Sequence, residues 1–335
     1  MNARVEAIAR VRDALAGEAS EALFAASAQD SALHPWVIEE GWRTALARFS
    51  DEALAARVSA RWAGRHVSVV LGRSVVVAPW RAMVLPLLEG AARVTVKPSR
   101  AQGAVPRFLA ARLAEAGLPV GEGPFADADV VIAYGSDAGL RAIATGLPPS
   151  VTFLGHGHGL GVALWGHGVT DDEVDATALD IARFDQQGCL SPQAVLVCGA
   201  VEVEAARLSR ALERVALRLP RRRLDPGAGA ALAQWAGRMA LKAERVWRGA
   251  HSLVVACAQG EIEGSPGDRA IAVIGVEGPT AACSRLAPHA PHLTVLGCAG
   301  QGLEGLQVPG FTGRTVRVGA MQDPPFDGPE DRRGA

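Results

Sequence analysis

Five cysteines, at positions 189, 198, 257, 283 and 298, are the thiols of this 335-residue chain. Four of them lie in or beside apolar runs or within a helical pattern, where cysteine packs as a small hydrophobe. Cys189 is set differently, in the stretch DQQGCLSPQAVLV that runs from Asp185 to Val197. Gly188 lets backbone or substrate approach closely, and Pro192 bars a helix from continuing through the site. The spacing predicts a turn that feeds a strand, with backbone N–H groups aimed at the sulfur. Such donors favour the thiolate, which is the nucleophilic form. Packing in a core is the alternative for Cys189 on residue type alone. Asp185, Gln186 and Gln187 either shape the approach to the sulfur or end a helix.

A second set of residues suits the binding of an anionic ligand. In VTVKPSR a strand ends at Lys97, and Pro98-Ser99 turns the chain toward a helix. The carboxyl ends of parallel strands are where α/β sheets take ligands. Lys97 and Lys242 are the two lysines among 34 basic residues. A lysine in such an arginine-rich chain marks a place that wants a flexible point charge. Arg100 follows closely and suits a 2′-phosphate, where an acidic residue would suit a free ribose hydroxyl. In YGSDAGLRAI, Gly135 and Ser136 precede a helix, whose free N–H groups favour a pyrophosphate; Asp137 can equally act as a plain cap. In FLGHGHGLGVALWG, Gly155, Gly157, Gly159 and Gly161 alternate with bulkier residues. No helix clearly follows, so the dinucleotide fingerprint is incomplete, and a tight loop beside a reacting centre is the better reading. His156 and His158 have no carboxylate or thiol ligand close in sequence, so no metal site is expected.

The elements that must position these residues read as follows. Residues 1–62 are helical, with Val5, Ile8, Val11 and Leu15 at three- and four-residue steps and a break at His34-Pro35. From His66, short β-branched runs alternate with helices: HVSVVL, SVVVA, RVTVK, DVVIAY, VTFL and GVALWG. That alternation predicts a parallel sheet covered on both faces. A helix over 171–184 precedes the cysteine stretch. Helices over 201–219 and 229–246 follow it, then strands LVVAC, AIAVIGV and LTVLG. The expected organisation is a helical segment over 1–62, a cofactor-binding domain over 63–184, a catalytic domain over 185–298 and an irregular tail over 299–335. Trp80 and Trp165 are expected in the core.

Composition narrows the function classes. The formal net charge of −1 gives no reason to expect nucleic acid as a partner. Five cysteines with no close pair fit a reducing cytoplasm better than a disulfide framework. The N-terminus lacks the apolar core of a signal peptide, and no apolar run is long enough to span a bilayer. Arg221-Arg222-Arg223 is read as solvated surface, with contact to the phosphates of a ligand or to an acidic protein as the alternative.

Taken in order, these motifs resemble the aldehyde dehydrogenase superfamily: a Lys-Pro-Ser turn, a Gly-Ser turn before a helix, a glycine-rich loop, then a Gln-Gly-Cys nucleophile. Within it, YGSD, GHGHGLGVA, FDQQGCLSPQAV and the late MQDPPFDG are most similar to the long-chain acyl-CoA reductase branch, which supplies fatty aldehyde for bacterial bioluminescence. The resemblance implies an α/β fold with a Rossmann-type parallel-sheet cofactor domain, a smaller α/β catalytic domain and a helical N-terminal segment. It implies that Cys189 accepts the acyl group, that Lys97 and Ser99 contact the adenine ribose side of the cofactor, and that Ser136 meets the pyrophosphate. Gly155 and Gly157 belong to the cofactor-binding loop, and Arg100 in place of an acidic residue favours NADPH over NADH. The glutamate that activates water in hydrolytic members is replaced by Thr152-Phe153-Leu154, so a thioester on Cys189 would be spared hydrolysis. Ser74, counted back from Lys97, falls near the family's oxyanion asparagine. The late Glu-Ile-Phe-Gly-Pro segment has no counterpart, and the chain is shorter than the superfamily norm. The implied activity is NADPH-dependent reduction of acyl-CoA or an acyl-carrier protein to an aldehyde, in an enzyme that is a homo-oligomer or a partner of acyl-processing enzymes. The alternatives are acyl transfer without reduction and a non-catalytic, degenerate member of the superfamily.

Overall fold

The computed structural model describes residues 2–324. The chain divides into two compact units, one ending at His158 and the other spanning Gly159–Pro324. No helix among the described residues is long and apolar enough to cross a membrane.

The first unit opens with α1 (Ala3–Ala16), α2 (Ser20–Asp30), α3 (Pro35–Ala47) and α4 (Asp51–Ala56). Val5, Ile8, Val11 and Leu15 form the buried stripe of α1, as their spacing requires. His34 caps α3 through its ring, accepting from the N–H of Trp36. These helices do not form a segment apart. α1 and α2 pack against α6 (Ala104–Glu115), and α1 also meets α5 (Ala78–Leu88). Asp30 at the end of α2 accepts the N–H groups of Ala104 and Val105 at 2.9 and 2.8 Å. A carboxylate from one helix thereby satisfies the orphan donors of another.

Five parallel strands complete this unit: β1 (His66–Leu71), β2 (Arg93–Lys97), β3 (Val120–Glu122), β4 (Val130–Tyr134) and β5 (Thr152–His156), in the order β3-β2-β1-β4-β5. α7 (Asp137–Gly146) joins β4 to β5. The chain runs outward from β1 to β3 and then crosses to β4, so the switch point lies between β1 and β4. SVVVA, read as strand-like, is a turn leading into α5. Pro79 in the first turn of that helix suits a helix start and not a ladder.

The second unit holds β6 (Leu160–Trp165), β7 (Pro192–Val197), β8 (Arg245–Arg248), β9 (Leu253–Cys257), β10 (Ala270–Gly275), β11 (Leu293–Ala299) and β12 (Arg314–Arg317), in the order β12-β11-β6-β7-β10-β9-β8. Every pairing is parallel except that of β8 with β9. β9 is buried at every position and β10 at all but its last, the continuous apolar run of strands covered on both faces. The connecting helices are α8 (Asp171–Ala182), α9 (Val201–Ala216), α10 (Pro226–Ala240) and α11 (Pro279–Leu286). Trp80 of the first unit and Trp165 of the second are fully buried, and the Trp165 indole donates to Thr177 at 3.1 Å.

Three expectations need correction. The boundary falls after His158 and not after residue 184, because VTFL and GVALWG belong to different sheets: β5 pairs with β4, whereas β6 pairs with β7 and β11. The helix expected to reach Val246 ends at Ala240, and Arg245–Arg248 becomes the antiparallel edge strand β8. Its Val-Trp centre favours a strand, and arginines at both ends blunt the edge. The tail is not wholly irregular, since Arg314–Arg317 pairs with β11. The last four residues of MQDPPFDG lie outside the described residues.

The segment after β12 returns to α8. The Asp180 carboxylate accepts the N–H of Gly319 at 2.5 Å, and Arg183 donates to the Gly319 carbonyl and to Asp323, both at 3.4 Å. Burial pushes the Asp180 carboxyl up to about 7, against the opposing pull of the Gly319 N–H and Arg183. Because the folded value lies above the unfolded one, the folded state holds the proton more tightly. Stability is therefore lost as pH rises from about 4 to about 7 and stays lower above that range. Asp180→Asn keeps an acceptor for Gly319 without the charge. Its melting temperature relative to the parent should increase from pH 5 to pH 8 in thermal melts; a difference that is flat with pH would contradict this account.

Candidate active site

Each residue expected to meet a cofactor lies in the first unit, at or beyond the carboxyl end of a parallel strand. Lys97 ends β2, with Ser99 and Arg100 following; Gly135 and Ser136 follow β4; Gly155 lies near the end of β5, with Gly157 beyond it. Lys97 and Arg100 are exposed, and the Lys97 ammonium rests over the Phe125 ring at 4.5 Å. Ser99 Oγ accepts the N–H of Gln102 at 2.9 Å, closing the turn after β2. No carboxylate occurs from Lys97 to Arg100. Ser136 caps α7, accepting from Gly139 at 3.2 Å, and a side chain at Gly135 would meet open space. These features fit the anionic parts of a dinucleotide.

The glycine-rich loop has a specific neighbour in this unit. Asp137 Oδ1 accepts the N–H of His158 at 3.1 Å, and a Cβ at Gly157 would stand 2.3 Å from that oxygen. His156 stacks on Tyr134 with ring centroids 4.7 Å apart. Among the described residues no group of three His, Cys, Asp or Glu side chains is arranged to hold a metal ion. Ser74 follows β1, where its N–H donates to the Gln102 side chain at 2.8 Å. It shares a cleft in this unit with Asp30, Gln102 and Val105.

In the second unit, Cys189 is exposed, whereas Cys198 and Cys257 are buried and Cys283 and Cys298 are half-buried. Burial pushes the Cys198, Cys257 and Cys283 thiols up, and that of Cys298 to about 11. These four are held as thiols at neutral pH. Cys189 lies on the expected turn: the Ser191 N–H donates to the Gly188 carbonyl at 3.1 Å, immediately before β7.

The turn is backed by β6. A Cβ at Gly159 would lie 2.5 Å from the Cβ of Cys189, and one at Gly161 would lie 2.5 Å from the Ser191 carbonyl oxygen. Glycine at these two positions therefore lets the strand pass directly beneath the nucleophile candidate. The ladders on both sides of β6 slip just there, between Leu293 and Val295 of β11 and opposite Gln193 of β7. Such irregularities re-aim side chains. Thr294 Oγ1 lies 2.8 Å from the Cys189 carbonyl oxygen and 3.2 Å from that of Leu160. Gln193 reaches the Gln186 carbonyl at 3.4 Å. From the C-terminal side, the Gln322 amide donates to Ser191 Oγ at 2.5 Å and to the Asp180 carbonyl at 3.0 Å.

The approach to the turn is strained. Among the described residues, the non-glycine positions with left-handed backbone are Phe184, Asp185 and Gln186 (φ 52°, 49° and 63°) and Asp268 and Arg269 (φ 55° and 64°). Each costs roughly 1–2 kcal/mol relative to the right-handed form. The two stretches meet where the Asp268 N–H donates to the Asp185 carbonyl at 2.8 Å. Asp185 and Gln186 are buried and only Gln187 is exposed, so Gln187 is the one of the three that faces outward, while the other two lie in the turn that ends the helical stretch. Arg221 and Arg222 are likewise not solvated surface. Arg222 forms a two-bond pair with Asp268 at 2.7 and 2.9 Å, Arg221 donates to backbone carbonyls of Asp268 and Ala250, and Arg223 alone of the three is exposed.

A family model described as acyl-CoA reductase (LuxC) matches residues 121–322, more than half of the chain. Among curated proteins no sequence matches. The fold is similar to that of an NAD-dependent benzaldehyde dehydrogenase from Corynebacterium glutamicum, at 15% identity and a TM-score of 0.76, covering 94% of this chain and 79% of that one. It is also similar to a Mycobacterium tuberculosis aldehyde dehydrogenase complexed with NAD+ (16% identity, TM-score 0.69, 94% and 77% covered). A third is the NADP-dependent glyceraldehyde-3-phosphate dehydrogenase from Bacillus halodurans C-125 complexed with NADP (13% identity, TM-score 0.68, 94% and 78% covered). The fold is that of the aldehyde dehydrogenases.

Exposure and burial together predict selective labelling. Iodoacetamide at neutral pH should modify Cys189 before the other four thiols, as read by peptide mass spectrometry over time. Labelling of Cys198 or Cys257 at an equal rate would contradict the structure.

Proposed function

The chain belongs to the acyl-CoA reductase (LuxC) family and is an oxidoreductase of that kind; from this premise we propose that it reduces an acyl thioester, carried on CoA or an acyl-carrier protein, to an aldehyde with NADPH, through a covalent thioester on Cys189. The observation that carries the reading is the exposure of Cys189 on a turn braced by glycines beneath and by Thr294 and Gln322 at its flanks.

The Cys189 thiolate adds to the acyl carbonyl carbon. The developing oxyanion is assigned to the Cys189 backbone N–H, and the resemblance alone assigns Ser74 as a second donor. Such donors are typically worth roughly 3–4 kcal/mol each. Re-forming the carbonyl expels the carrier thiolate, which takes a proton from solvent, and leaves the acyl group on the sulfur. A dinucleotide held by Lys97, Ser99, Ser136 and the glycine loop would supply the hydride that this carbonyl carbon needs. Cys189 would then be freed as thiolate when the C–S bond breaks and the aldehyde leaves. One acyl thioester, one NADPH and one proton give one aldehyde, one thiol and NADP+. Thiolate is a good leaving group, so the residues here mainly hold and orient. Thr152, Phe153 and Leu154 are half-buried residues of β5 and offer no carboxylate to activate water. The acyl-enzyme therefore persists long enough to be reduced.

The preference for NADPH rests on Lys97, Ser99 and Arg100 at the end of β2, with Gly135, Ser136, Gly155 and Gly157 supporting the rest of the dinucleotide. Cys189→Ala should abolish aldehyde formation from acyl-CoA; retained turnover would end the proposal. The double variant Lys97→Met/Arg100→Met should lose NADPH selectivity over NADH by roughly 10- to 100-fold, the worth of one charged hydrogen bond to the extra phosphate. An unchanged ratio of kcat/KM for the two cofactors would remove these residues from the site.

A further inference from the structure

Behind the nucleophile turn lies a sealed cluster of four charged side chains. Asp185 Oδ1 accepts from Arg269 Nε at 2.8 Å, and Arg269 Nη2 lies 2.7 Å from the same oxygen. Both side chains have no solvent exposure. Asp185 Oδ2 accepts the backbone N–H of Arg222 at 2.9 Å, and the Arg222 side chain pairs with Asp268 through two bonds. Asp268 and Arg269 share left-handed backbone with Phe184, Asp185 and Gln186. Three separate stretches of the second unit, 184–186, 221–222 and 268–269, are thus tied at one carboxylate.

What the knot holds is the entrance to Cys189. Gln186, next in sequence, carries its amide across the base of the loop, donating to the Pro192 carbonyl at 2.7 Å and accepting from Ser265 Oγ at 3.3 Å. The loop from 187 to 191 is stapled at its two ends. A buried ion pair is a poor device for stability, because the lost hydration offsets the attraction. Here burial pushes the Asp185 carboxyl up and the Arg269 guanidinium down, each opposed by the charge of the other. What such a pair does supply is direction, since a carboxylate that takes donors on both oxygens fixes its backbone at a backbone conformation that a lone residue would leave.

We propose that Asp185, clamped by Arg269 and Arg222, is a positioning residue that holds the left-handed turn 184–186 and thereby sets where the Cys189 sulfur stands for acyl transfer. The inference rests on Cys189 being the nucleophile. It concerns alignment and not access, because Asp185 is buried and touches no substrate. A misplacement of about 1 Å is enough to cost roughly 100-fold in such a reaction.

The test compares Asp185→Asn with Asp171→Asn, a variant of the same unit that loses an exposed carboxylate paired with Arg207 at the start of α8. Two readouts are taken: hydrogen exchange of the peptide spanning 184–191, and single-turnover transfer from an acyl-CoA per titratable Cys189 thiol, with KM measured alongside. Asp185→Asn should speed exchange in that peptide and slow acyl transfer about 100-fold with KM within about twofold. Asp171→Asn should change neither. If Asp185→Asn does not fold, because it leaves Arg269 unpaired, Asp185→Ala/Arg269→Met removes both charges and should give the same two results. Unchanged exchange, or faster exchange with acyl transfer per thiol intact, overturns the positioning role. Faster exchange in a protein whose parent never acylates Cys189 supports the clamp and overturns the reading of the function.

Discussion

A nucleophile on a short turn must be both accessible and held, and what holds the backbone here lies behind the turn. In this chain the conflict is resolved by a carboxylate with no exposure at all. Asp185 anchors the backbone four residues before Cys189 by taking an arginine side chain on one oxygen and an arginine N–H on the other. The left-handed conformations at Phe184, Asp185 and Gln186 persist because that anchor and its neighbours over-determine them. Conversely, Thr294 and Gln322 grip the far side of the same turn, and Gly159 and Gly161, at the start of β6, let the chain pass close beneath it. Cys189 is exposed, while the groups that hold the turn are largely withdrawn from solvent.

The first unit follows a separate logic. Its sheet is parallel throughout, so every strand delivers its carboxyl end to one edge, and there Lys97, Arg100, Ser136 and the glycine loop collect. Lys97 rests over the Phe125 ring and Arg100 is exposed, which leaves both cations at the edge where parallel sheets take ligands. The Asp30 carboxylate, by contrast, is occupied with capping α6.

Much of this was legible in the sequence because it depends on local chemistry. The Gly-Cys-Leu-Ser-Pro step announced a turn before a strand, and the β-branched runs announced parallel strands buried on both faces. The fold class followed from their alternation, and the motifs in their order led to the family. The supporting frame was hidden for a physical reason. Asp185, Arg222, Asp268 and Arg269 are spread over more than eighty residues and meet only after folding. Nothing local in a run of three arginines tells that the middle one is buried. Thr294 looked like an ordinary strand residue, and its role comes from a slip of register between β6 and β11 that no periodicity reports. β8 was lost in a helical pattern because a four-residue edge strand takes its stability from β9 and not from its own sequence. The glycines at 159 and 161 did carry a signal, their alternation, but not the identity of the residue they make room for.

The account stands or falls on a covalent bond to one sulfur. Incubating the protein with an acyl-CoA in the absence of nicotinamide, followed by intact-mass and peptide mass spectrometry, reads that bond directly. The predicted result is one acyl group per chain, located on Cys189 and discharged as aldehyde when NADPH is added. An unmodified Cys189, or an acyl group found on another residue and indifferent to NADPH, would contradict it.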